Sequence, residues 1–193
     1  MFISIIAYFF IPAYTIFFVE GSDWFTTNFS VIGNLAGRQG DFVLWGLCVG
    51  IYFFWCLRKI VSCMEKRPKG MWLIPISLVL LTFAITTPYL PESLPFKSFL
   101  HIIFAFLAAV CLMCSLYLIL IALCRQEKAI SLQERSASRT YLPYLTALIL
   151  ITLISGTLLW LVGIVSSALE IFFTISTVIL VKRLYEKTRQ VIP

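Results

Sequence analysis

The run FLHIIFAFLAAVCLMCSLYLILIALC, residues 99–124, contains no ionisable side chain except His101, its cysteines and one tyrosine. As a helix rising 1.5 Å per residue it would extend about 39 Å, more than the roughly 30 Å hydrocarbon core of a bilayer. Its apolar residues are continuous rather than alternating, which predicts a membrane helix and argues against a barrel strand. The rest of the chain has the same character. Of 193 residues, 61% are hydrophobic and 12% are charged, with mean hydropathy +0.98; a soluble domain is about a quarter charged.

Comparable runs occupy about residues 2–19, 42–62, 71–90, 141–160 and 163–181. Together with 99–124 they predict an all-α polytopic membrane protein, a bundle of six transmembrane helices forming one domain over residues 1–193. The opening MFISIIAYFFIPAYTIFF lacks the basic start and small-residue cleavage site of a signal peptide, and is expected to stay as the first helix.

Basic residues set the expected orientation. Arg58, Lys59, Lys66, Arg67, Lys69, Arg125, Lys128, Arg135, Arg139, Lys182, Arg183, Lys187 and Arg189 fall on one side of a six-span chain; only Arg38 and Lys97 fall on the other. The positive-inside rule then places both termini in the cytoplasm, in the plasma membrane. Topology and contact with anionic headgroups account for the net charge of +6, so nucleic acid is not an expected partner. The expected partners are membrane lipids and a lipid or amphiphile ligand, with a homo-oligomer or a membrane partner subunit left open.

The polar residues inside the apolar runs carry the functional expectation. Glu170 lies in the sixth run, on a stripe with Gly163, Ser166, Thr174 and Thr177. Such a stripe faces the bundle, because small residues admit close helix approach and a carboxylate avoids lipid. Six alternating spans bring Glu170 to the depth of His101, Thr86 and Tyr89, beneath the first outer loop with Asn28, Ser30 and Asn34. Few polar groups converging in apolar surroundings is the profile of a ligand site. The expected ligand-binding residues are therefore Glu170, His101, Thr86, Tyr89, Asn28, Ser30, Asn34 and Ser166. The candidate catalytic residues are His101, Glu170 and Ser30. Glu170 is expected to bond first to His101 or Thr86, and Trp24 and Phe25 to fold back toward the helices.

Several chemistries are excluded. There is no GxxxxGKS loop and no HExxH; one histidine cannot build a His-rich zinc site or a bis-histidine haem site. No lysine sits deep within a run to form a retinal Schiff base, Lys59 standing at the end of the second. No cofactor and no metal are called for. The six cysteines include Cys111 and Cys114 at redox spacing, but inside an apolar helix they read as packing groups. Pro88, Pro91 and Pro95 stop the third helix and stiffen the turn. Asn28-Phe29-Ser30 matches a glycosylation sequon, a short and common pattern.

The segment NFSVIGN after the first run, a histidine opening the fourth and a glutamate inside the last resemble the DRAM/FRAG-type six-helix membrane proteins and their bacterial relatives. Ser30 and Gly33 keep the spacing of that group's Ser-Asp-x-Gly-like motif, with Val31 at the acidic position. The resemblance implies a role in handling lipids or small hydrophobic molecules. The first expectation is thus a protein that binds a lipid or amphiphile for sensing, transfer or protection. The second is a lipid-modifying enzyme, acting by acyl transfer or hydrolysis, with His101 as general base, Ser30 as nucleophile or substrate contact and Glu170 orienting the imidazole. It requires Ser30 within about 3 Å of His101. A proton-coupled transporter using Glu170, or an accessory subunit of a membrane complex, are the remaining alternatives.

Overall fold

The computed structural model describes residues 2–35, 37–134 and 139–191, and every regular element among them is helical. Helix α1 is Phe2–Phe18, α2 is Phe29–Leu35, α3 is Gln39–Cys63, α4 is Leu73–Thr86, α5 is Pro95–Glu134, α6 is Leu142–Val162 and α7 is Ser167–Val191. Three are long and apolar enough to cross a membrane: α3, α5 (over Pro95–Ala129) and α6. Helices α1 and α4 are apolar but shorter.

Local chemistry sets most helix ends. Pro12 has no N–H to give, and the turn ahead of it widens to a π-turn in which the Ile11 N–H bonds to the Ile6 carbonyl. Helix α4 stops at Thr86, four residues short of the expected end, because Pro88 pushes Thr87 into an extended conformation. Pro95 opens α5, where a missing N–H costs nothing. Gly163 ends α6 in the left-handed region at φ 76°. By contrast, α5 and α7 run about ten residues past their apolar stretches, since charged residues continue a helix once its core-facing side is packed.

Helices α3 and α7 are the central pair. The buried Tyr52 hydroxyl donates to the Val178 carbonyl at 2.9 Å, and Leu57, Ile60 and Leu184 are buried further along the same two helices. Helix α1 packs on both, tied to α3 by the Trp45 indole N–H donating to Thr15 Oγ1 at 3.0 Å. Helix α4 joins α3 to α5, with Ser77 Oγ donating to the Ala108 carbonyl. Helix α6 lies against α7 and meets α5 through Tyr117 and Thr152, whose hydroxyls are 2.7 Å apart.

The long helices alternate in direction. The end of α1, the start of α3, the end of α4 and the starts of α5 and α7 gather at one end, hereafter the loop end. Arg38 Nη1 donates to the Phe18 carbonyl there, and the Ser167 N–H donates to the Thr27 carbonyl. At the opposite end Gln126 donates to the Lys66 carbonyl, the Glu127 carboxylate caps the chain entering α6, and the buried Lys182 pairs with Glu186.

Helices α3 and α4 approach closely at Gly46. A Cβ on Gly46 would stand 2.6 Å from Ile85 Cγ2, whereas one on Gly40 would meet nothing within 4 Å. Gly46→Ala is therefore expected to cost about 1–3 kcal/mol through forced separation of the helices. Gly40→Ala should leave the thermal midpoint in detergent near that of the parent protein. Equal midpoints for the two variants would contradict this packing.

Candidate functional site

The first loop and α2 lie over the loop end and are held by two helices distant in sequence. On one side, α7 donates its free N-terminal N–H groups to the loop. Ser167 N–H bonds the Thr27 carbonyl at 2.7 Å, Ala168 N–H bonds the Trp24 carbonyl at 2.8 Å, and Ser167 Oγ adds a second bond to Thr27. Glu170, in the first turn of α7, answers in the other direction: its Oε2 accepts the Phe29 N–H at 2.7 Å. The loop carbonyls thus take the orphan N–H groups of α7, and the α7 carboxylate takes the first N–H of α2.

Asn28 caps α2, its Oδ1 accepting the Val31 N–H at 2.9 Å. Asp23 orders the turn before it, accepting N–H bonds from Phe25 and Thr26. Those bonds hold its carboxyl below the usual carboxylate range. The Phe29 ring is fully buried, edge-on to Phe18 and Trp45 with centroids 5.3 and 4.7 Å away. Phe29, not Trp24 or Phe25, is the aromatic that anchors the loop; the latter two remain exposed.

With α2 fixed in this way, Ser30 meets α5. Ser30 Oγ is 2.6 Å from His101 Nε2, and His101 Nδ1 is 2.9 Å from the Thr87 carbonyl oxygen. A carbonyl only accepts, so Nδ1 carries the proton. In the neutral imidazole Nε2 is then the acceptor, and the Ser30 hydroxyl donates to it. The ring is held between Phe42 and Tyr89, with centroids 6.2 and 5.5 Å away, and His101 is 2% exposed. Thr87 can present its carbonyl because Pro88 has already pulled the chain out of the helix. Ser98, one turn before His101, accepts the Leu90 N–H at 2.8 Å and fixes the extended segment.

The expected residues divide clearly. Ser30 and His101 are in direct contact. Asn34 Nδ2 donates to the Ser30 carbonyl at 2.9 Å, one turn along α2. Tyr89 lies beside the imidazole. Glu170 reaches the site through the Phe29 N–H, not through His101 or Thr86 as expected. Ser166 is buried at the start of α7, its carbonyl accepting the Glu170 N–H. Thr86 stands apart: it is exposed, and its hydroxyl bonds back to the Thr82 and Phe83 carbonyls. Sequence reasoning missed the Thr87 carbonyl and the Phe29 N–H, because main-chain groups carry no signal in residue type. The Asn28 cap and the Pro88 helix stop were the legible hints.

Gly33 sets the seat of α2. A Cβ there would stand 2.7 Å from Phe42 Cβ, in the layer that also touches His101. Gly33→Ala is expected to lift α2, open the Ser30–His101 bond and lower the thermal midpoint in detergent, since overpacking of this kind costs about 1–3 kcal/mol. A midpoint equal to the parent's in Gly33→Ala would contradict this seating.

No family model, no curated protein and no solved structure matches the chain.

Proposed function

We propose that this is a lipid-modifying enzyme in which Ser30 is the nucleophile and His101 its general base. The carrying observation is the relay Ser30 Oγ–His101 Nε2–His101 Nδ1–Thr87 carbonyl, which leaves the basic nitrogen of the imidazole on the serine hydroxyl. The Thr87 carbonyl takes the orienting role that a carboxylate fills in a Ser-His-Asp triad. Being neutral, it stabilises the developing imidazolium less, so a modest rate is expected.

The step balances as acyl transfer. Ser30 Oγ attacks the ester carbonyl as its proton moves to His101 Nε2. The bond from the carbonyl carbon to the leaving oxygen breaks, and that oxygen takes the proton from His101. Water, or an alcohol acceptor, then gives its proton to His101 and attacks the acyl-serine; the bond from the acyl carbon to Ser30 Oγ breaks, and Oγ takes that proton back from His101. Glu170 holds the backbone beside the nucleophile and does not touch the imidazole.

The setting proposed for this chemistry is the plasma membrane, spanned by α1 and α3 to α7, with both termini in the cytoplasm and the loop end outside. The 13 basic residues against two support that orientation. The fit to the DRAM/FRAG-type proteins is likewise proposed, on Ser30, Gly33, His101 and Glu170. Ser93→Cys in intact cells should react with a membrane-impermeant thiol reagent; reaction only after the cells are opened would invert the orientation.

A second reading, a protein that binds an amphiphile without turning it over, is favoured by one observation. The Ser30–His101 bond is also one of several pins on the loop, beside those at Thr27, Trp24 and Phe29. Hydrolysis of a long-chain p-nitrophenyl ester by purified protein in neutral detergent separates the two. The enzyme reading expects steady turnover that Ser30→Ala abolishes while the fold is kept. Binding of the ester without turnover would favour the second.

A further inference from the structure

We infer that the Ser30–His101 site takes uncharged ester lipids of acylglycerol chemistry and discriminates against anionic phospholipids. This rests on the acyl-transfer reading above and adds what the substrate carries beyond its ester. The segments at the loop end are residues 20–35, 37–41, 87–101 and 155–170. Beside Glu170, whose carboxylate is taken by the Phe29 N–H, they contain four carboxylates, Glu20, Asp23, Asp41 and Glu92, against two cations, Arg38 and Lys97.

Of the two cations, one is already engaged and the other is a single exposed lysine. The Arg38 guanidinium already bonds Asp41 Oδ2 at 3.1 Å and the Phe18 carbonyl at 2.8 Å, and it stacks on the Phe18 ring. Lys97 is exposed on the first turn of α5, whereas His101, one turn further along, is buried. A phosphodiester at this end would therefore meet net negative charge, with Arg38 shared between Asp41 and the Phe18 carbonyl and a single lysine, Lys97, to offset it.

The same end suits the apolar part of such a substrate. Trp24, Phe25, Phe96, Phe99 and Trp160 all stand out from the segments around the site, Trp160 at 81% exposure. Aromatic side chains in this arrangement sit at a membrane–water interface, the depth at which the ester linkages of a glycerolipid lie. The site then selects by two features together: an ester held at interfacial depth, and a headgroup without negative charge.

The test compares two chain-matched lipids, dioleoylglycerol and dioleoylphosphatidylglycerol, each in mixed micelles of neutral detergent with the purified full chain. Fatty acid release is measured at low and at high salt. Dioleoylglycerol should be used about ten-fold faster at low salt, with the gap narrowing as salt screens the carboxylates. Replacing the exposed Glu20 and Glu92 together, E20K and E92K, should narrow the gap in the same way and leave dioleoylglycerol turnover unchanged. Equal or preferred use of the anionic lipid, or use of neither, overturns the inference. Covalent labelling of Ser30 by an uncharged long-chain fluorophosphonate separates the causes. Labelling with the wrong lipid preference sinks only the substrate class, and no labelling sinks the nucleophile assignment itself.

Discussion

His101→Ala is expected to lower kcat/KM for ester turnover by about 10³-fold, with the helical content kept and the thermal midpoint lowered moderately by the loss of a buried ring and two hydrogen bonds. General-base assistance of this kind is worth roughly 10²–10⁴-fold. The loss should fall on kcat, because the imidazole works as the serine proton leaves and adds little to ground-state binding. Ser30→Ala should cost about as much. The double variant should be no worse than either single one, since nucleophile and base act as a unit. The parent rate should also climb as pH rises out of the acid range, because only the unprotonated Nε2 can take the serine proton. Losses in the two single variants that simply add would show that the residues contribute independently, as loop pins would, and would contradict the dyad.

Replacing Glu170 should separate position from charge. Its Oε2 accepts the Phe29 N–H from across the chain. Glu170→Leu leaves that donor without an acceptor beside a buried aromatic, at a cost of about 1–3 kcal/mol, and frees the backbone next to Ser30. Both the thermal midpoint and the turnover should fall. Glu170→Gln keeps a carbonyl oxygen at the same reach, so its midpoint should stay near the parent value and its turnover should be largely kept. Were Gln as damaging to turnover as Leu, with a normal midpoint, the carboxylate would have to act on the substrate directly.

Much of the scaffold was legible because lipid is a demanding solvent. The run 99–124 predicts its helix by length and continuity alone, and Pro88, Pro95 and Gly163 mark real helix ends. The extra ten residues of α5 and α7 were not legible, since helix propensity continues past the point where apolar content stops. For the site, the sequence places Ser30, His101 and Glu170 at one depth through topology, but not who bonds whom. Glu170 invited pairing with the histidine because both are ionisable. The structure instead gives each a main-chain partner, the Phe29 N–H and the Thr87 carbonyl. The Phe29 bond and the Ser30–His101 contact depend on a seven-residue helix, α2, whose fold follows from the Asn28 cap and the burial of Phe29 rather than from any periodic pattern.

The most direct measurement is mass spectrometry of the purified protein after reaction with a long-chain fluorophosphonate, intact and then as peptides. The account predicts a single adduct, on the peptide containing Ser30, absent in Ser30→Ala and strongly reduced in His101→Ala although both variants remain folded. A parent protein that takes up no adduct, or one whose adduct persists in Ser30→Ala, would contradict it.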